Sequence, residues 1–160
     1  MRPARKKPPK ESIRLQLADV PGLLERELAQ RLKRSQTARV FGFACEEAEP
    51  GRAVVSMRVT QRHKQVNGVV HGGVLAAMAD TAAGLAIYAG LPRGARIATI
   101  ELKINYLEAV DGGSLLAEAR VLRTGRNFSV AECDVRDSHG RLAATALLTF
   151  AIDTRKGKPR

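Results

Sequence analysis

The chain has 160 residues, 44% of them hydrophobic, which suits one domain with a core of its own and excludes wholesale disorder. Its formal charge is +11, but residues 1–10 hold five Lys or Arg and residues 155–160 hold four, with no acid in either, so the body between them is nearly balanced. With aromatic residues at 4% and no Trp, stacking platforms for bases are scarce, which disfavours nucleic-acid binding as the main function. Residues 1–20 and 154–160 read as solvated basic tails around a single domain at 21–153; weak contact with phosphates is the alternative role for the tails. The longest apolar stretch, Val69 to Leu91, is interrupted by His71 and Asp80, so no membrane span is expected. Cys45 and Cys133 are far apart and no Cys/His metal spacing occurs, which reads as two reduced thiols in a cytoplasmic protein without a metal or cofactor.

In chain order, Pro21–Arg34 predicts a short amphipathic helix, with Leu24, Leu28 and Leu32 at i, i+4 and i+8. Arg39–Glu47 and Arg52–Thr60 read as strands joined by a turn at Glu49-Pro50-Gly51. Gln61–Gly68 is polar and loop-like. Gly72–Leu91 predicts the one long helix, apolar on nearly every face and therefore buried all round. Its alanines and Gly84 keep it thin enough for a sheet to wrap closely. Four strands follow, at Ala95–Leu107, Ser114–Arg123, Phe128–Asp137 and Arg141–Asp153, separated by Gly-containing turns. In the first of them Ile100, Leu102, Ile104 and Tyr106 alternate with polar residues. The order predicts an α+β fold: a curved antiparallel sheet of about six strands around one long buried helix, plus a short N-terminal helix. Six strands cover one side of such a helix, and the open edge suits a second copy of the chain.

Asp80 is the most informative residue. It is the only charged side chain between His71 and Arg93, in the middle of an apolar helix. Burying an ionised carboxylate costs several kcal/mol, on the order of a whole protein's net stability, unless it gains partners. It reads either as an acid bonded to a neighbouring hydroxyl, with Thr81 a candidate, or as a group that handles substrate. His71-Gly72-Gly73 opens the same helix. The first N–H groups of a helix are unpaired and partly positive, which suits a polarised carbonyl or oxyanion; a tight turn is the plainer reading. Eight helical residues span about 12 Å. His71 and Asp80 of one chain therefore cannot grip one atom, and a site using both takes them from two subunits.

The run from Gln65 to Gly84, with His71-Gly72-Gly73 and Asp80, resembles the hotdog-fold acyl-CoA thioesterases of the phenylacetic-acid-degradation (PaaI-like) family, and the likeness extends from about Arg39 to Ile152. It implies a hotdog fold and hydrolysis of an acyl-CoA thioester. Asp80 would then be the general base or nucleophile, Gly72 the backbone donor to the thioester carbonyl, and His71 the residue that orders that loop. Thr99 falls where some members keep a hydroxyl that positions water. Gln65 falls where many members have Asn, which keeps an amide but lengthens it by one methylene; Asn67 is its alternative. Gly73 belongs to the same substrate-binding loop. The turn Arg123-Thr-Gly-Arg126-Asn127 falls where the family has a basic turn, so Arg123, Arg126 and Asn127 are the candidates for the phosphates of coenzyme A. The expected partners are the acyl-CoA substrate and a further copy of the chain, as dimer or tetramer. A hotdog dehydratase or hydratase and a non-catalytic acyl-CoA-binding module are the competing functions.

Overall fold

The computed structural model describes residues 23–154. The basic tails expected at 1–20 and 154–160 lie outside it, apart from Thr154. The elements are α1 (Leu23–Arg34), α2 (Gln36–Phe41), β1 (Ala44–Glu49), β2 (Arg52–Arg58), a 3-10 turn at Gln61–His63, α3 (Gly72–Ala89), β3 (Arg96–Tyr106), β4 (Ser114–Thr124), β5 (Phe128–Asp137) and β6 (Leu142–Asp153). The six strands form one antiparallel sheet in the order β1-β2-β4-β5-β6-β3. The long helix α3 lies against all six strands. This is the expected hotdog architecture.

Small side chains explain how closely helix and sheet approach. Ala79, Ala82, Ala83 and Ala86 of α3 are fully buried, facing Ala117, Ala119 and Ala131 from the strands. Met78 and Leu115 fill the larger gaps at 0% exposure. Cutting either to Ala would cost about 2–5 kcal/mol, since the surroundings relax only partly around the cavity. The length of α3 and its mean hydropathy of 1.3 would let it cross a membrane, but 61% of it is buried within the fold. The stripe Leu24, Leu28 and Leu32 docks α1 as expected.

Three expectations need correction. Residues 39–41 are helical, not the start of a strand. The Ser35 hydroxyl caps α2 by accepting the Ala38 N–H, and Gly42 ends it at φ +71°, so local capping outweighs the β-branched and aromatic residues there. Next, β3 does not alternate cleanly. A bulge between Thr99 and Glu101 takes Ile100 out of register and leaves it 55% exposed. Finally, α3 is not covered all round. Gly73 is exposed, and Ala76, Ala77, Asp80, Thr81 and Gly84 are only half-buried. These residues lie at i, i+3 and i+4 spacings, so they form one open stripe beside β3. No described strand pairs with the outer edge of β3.

Candidate active site

Asp80 lies on that open stripe. The Thr99 hydroxyl, on edge strand β3, donates a 2.7 Å hydrogen bond to Asp80 Oδ1. Thr81 does not serve Asp80; its hydroxyl donates to the Ala77 carbonyl at 2.7 Å, one turn back. Burial pushes the Asp80 carboxyl above the ordinary aspartate value, and the Thr99 hydrogen bond pulls it part of the way back. The result is a partly desolvated carboxylate with one oxygen held and the other open. It faces a cleft of about 660 Å³ that runs along α3 past Gly84 and Tyr88, walled by Ile97 and Phe150.

The start of α3 is built by a separate set of contacts. His71 is the N-cap (φ −65°, ψ 133°), and its Nδ1 accepts the Gly73 N–H at 2.9 Å. In a neutral ring the proton then sits on Nε2. The His71 N–H donates to the carbonyl of His63 at 2.8 Å, and the Val70 N–H donates to Val110 at 2.7 Å. His63 is 1% exposed, and its Nδ1 accepts the Thr60 N–H at 3.0 Å. Burial first, and then the Arg62 charge, hold the His63 imidazole below its ordinary value, so it stays neutral while anchoring the loop. With the Gly73 N–H taken by His71, the Gly72 N–H has no acceptor among the described residues. Gly72 lines a second, smaller cleft of about 310 Å³ between the helix start and Tyr106.

Sequence reading missed Tyr106 as a site residue. Its hydroxyl donates to the Gly72 carbonyl at 3.0 Å, and its ring packs against the Gly72 α-carbon. A Cβ at position 72 would meet the Tyr106 ring at 2.9 Å, so a side chain there must displace that ring. Tyr106 and Gly72 are 34 residues apart, and no local pattern signals their contact.

Gln65 Oε1 accepts the Asn67 N–H at 3.0 Å, and the Gln65 N–H donates to the Val69 carbonyl at 2.8 Å. Gly68 completes the turn at φ +81°. Gln65 thus shapes the loop that leads into His71, while the Asn67 side chain is exposed. Arg123 at the end of β4 and Arg126 and Asn127 in the β4–β5 turn are exposed and line neither cleft. The structure brings Asp80 together with Thr99, and His71 together with Gly72 and Gly73, but keeps the two groups at opposite ends of two turns of helix. Cys45 and Cys133 are free thiols, pushed up to about 11 and about 12 mainly by burial, so neither is a nucleophile at neutral pH. Among the described residues no three His, Cys, Asp or Glu side chains gather to hold a metal ion.

A six-stranded antiparallel sheet around one helix, with a half-buried carboxylate in mid-helix and a free N–H at its start, defines a hotdog protein equipped for carbonyl chemistry. Residues 67–144 match the family model of the thioesterase superfamily, and the chain belongs to that superfamily. It is 31% identical over 112 residues to the proofreading thioesterase EntH of Klebsiella pneumoniae, covering 70% of this chain and 82% of that one. The crystal structure of a Haemophilus influenzae thioesterase superimposes with a TM-score of 0.75 at 28% identity, over 81% of this chain and 90% of the other. A Staphylococcus aureus structure matches with a TM-score of 0.71 at 25% identity, over 72% of this chain and 97% of that one. That protein, a thioesterase, has been solved with a glutamate replaced by alanine and separately with a glutamine replaced.

Proposed function

We propose that the protein hydrolyses an acyl-CoA thioester to the free acid and coenzyme A, at a site that combines Asp80 of one subunit with Gly72 of another. The observation that carries this reading is the Thr99–Asp80 hydrogen bond on the one open stripe of an otherwise buried helix. A carboxylate kept there against its desolvation cost serves chemistry better than packing. The names of relatives point the same way: besides EntH, one is a 1,4-dihydroxy-2-naphthoyl-CoA hydrolase of Listeria monocytogenes.

The reaction needs two things of the protein. A group must deliver oxygen to the thioester carbon, and a donor must take up the charge that develops on the carbonyl oxygen. Thr99 holds Oδ1 of Asp80, leaving Oδ2 to remove a proton from water as the water oxygen bonds to the carbon. In the alternative course Oδ2 bonds to the carbon itself and water cleaves the resulting anhydride. In both, the tetrahedral oxyanion lies on the Gly72 N–H, the C–S bond breaks, and the coenzyme A thiolate leaves and takes a proton. His71 fixes the loop and leaves Gly72 as the free donor.

Distance supports subunit sharing. Gly72 and Asp80 are eight residues apart on one helix, about 12 Å along its axis, and open on different clefts. One thioester cannot meet both within one chain. Two antiparallel copies packed along the open stripe and the β3 edge would set Asp80 of each beside Gly72 of the other. The exposed turn with Arg123, Arg126 and Asn127 is assigned to the phosphates of coenzyme A. Free-thiol release from a panel of acyl-CoA esters, for wild type and Asp80→Asn, tests the reading. Turnover that collapses in the variant with the fold intact supports it; equal turnover removes Asp80 from the chemistry.

A further inference from the structure

The Asp80 cleft has a second end that the hydrolytic reaction leaves unused. From Asp80 it runs past Gly84 and Leu85 to Tyr88, walled by Ile97 and Phe150, and ends at Arg31 and Arg34 in the last turn of α1. Asp80 and Tyr88 are eight residues apart on α3, about 12 Å. Among the described residues neither arginine lies within 4.0 Å of an acid. Nor do they serve Asp80, whose carboxyl is moved by burial and by Thr99 with no cation among the causes. The Arg31 guanidinium is instead stacked over the Tyr88 ring, 4.1 Å from its centroid, which holds a planar donor at the end of the cleft. The α1–α2 junction carrying Arg34 is also fixed, because the Ser35 N–H donates to the Leu32 carbonyl at 2.9 Å while the Ser35 hydroxyl caps α2.

We infer that Arg31 and Arg34 form an anion subsite for the far end of the acyl group, so that the preferred substrate is a medium-length acyl-CoA carrying a terminal carboxylate. This rests on the thioesterase reading of Asp80. Leu85, Ile97 and Phe150 give the stretch between the carboxylate and the arginines apolar walls, and Gly84 leaves its floor open: a Cβ there would come within 3.7 Å of both Ile97 and Phe150. Such a channel suits a hydrocarbon chain. Guanidinium groups bind carboxylates through paired, charge-assisted hydrogen bonds, so an acid at the end of the chain satisfies both. A phosphate of coenzyme A shares that chemistry and is the competing source.

The test compares suberyl-CoA with octanoyl-CoA, equal in carbon number and differing in the terminal carboxylate. Wild-type kcat/KM is expected to favour suberyl-CoA by about tenfold or more. The double variant Arg31→Gln/Arg34→Gln should lose that preference and keep octanoyl-CoA turnover within about twofold. Arg31→Lys/Arg34→Lys, which retains charge, should restore part of it and shows that the loss is not a folding defect. An equal loss on both esters overturns the inference in favour of a coenzyme A phosphate, and a wild type that prefers octanoyl-CoA overturns it outright. Calorimetry with the non-hydrolysable thioether analogues of both esters separates the two layers. Tighter, arginine-dependent binding of the dicarboxyl analogue by a protein that hydrolyses neither ester would uphold the subsite and sink the thioesterase reading.

Discussion

Thr99 and Asp80 are joined by a 2.7 Å hydrogen bond between the edge strand of the sheet and the middle of its central helix. The bond holds one carboxylate oxygen and leaves the other facing the cleft. It also opposes the effect of burial, which raises the carboxyl above its ordinary value.

Thr99→Val removes that opposition. The carboxyl then moves further up, so at a given pH less of it is ionised. The acid limb of the kcat/KM profile should shift to higher pH, and turnover near neutrality should fall about tenfold, as expected for loss of a hydrogen bond to a charged group. Thr99→Ser should keep the wild-type limb. A pH–rate series on the three proteins checks both statements.

The raised carboxyl also links stability to pH. A folded-state value above the unfolded one means that the fold favours protonated Asp80. The cost is absent below the ordinary aspartate range and complete above the raised value. Asp80→Asn should therefore melt a few degrees above wild type at neutral pH, and the gap should close as the pH falls through the aspartate range. Thermal melts across that range test it; a variant less stable at neutral pH contradicts it.

At the helix start, a pair of variants isolates the Gly72 N–H. Gly72→Ala and Gly72→Pro both place a Cβ against the Tyr106 ring. Only proline removes the N–H, and proline is tolerated at the first position of a helix after an extended N-cap such as His71. Gly72→Pro should lose about a hundredfold more kcat than Gly72→Ala, the usual effect of removing one oxyanion donor. Equal losses would make the ring clash the whole effect.

Away from the site, Asp137 organises the β5–β6 turn. Its Oδ1 accepts the N–H groups of His139 and Arg141 at 2.9 and 3.0 Å, and Oδ2 accepts Arg141 Nε at 2.7 Å. Burial alone would raise this carboxyl, but the Arg141 side chain and the two N–H donors hold it below the ordinary range. Its contribution is present above the ordinary aspartate value and disappears as the pH falls through the depressed one. Asp137→Ala should lower the melting temperature at neutral pH, leave kcat unchanged, and lose its effect in strong acid.

The sequence made much of this legible because its patterns are local. The all-apolar helix, the turn glycines and the one intrahelical acid locate α3, the strands and Asp80 without any knowledge of contacts. What it hid depends on distance or on small local offsets. The α2 turn overrides strand-like residues through one serine cap. The bulge at Ile100 shifts a regular alternation by one residue. The open stripe on α3 reads in sequence like the buried faces, because alanine and glycine serve both. The bond from Tyr106 to Gly72 and the stacking of Arg31 on Tyr88 join segments dozens of residues apart, and periodicity carries no record of them.

The central claim is that Asp80 and Gly72 act together from different subunits, and mixing inactive subunits tests it most directly. Asp80→Asn and Gly72→Pro proteins, each inactive alone, are unfolded together, refolded and assayed for thiol release. In a shared site every mixed dimer holds one centre with both defects and one with neither, so about a quarter of wild-type activity should return. If the two residues belonged to a site within one chain, every centre would keep a defect and no activity would return.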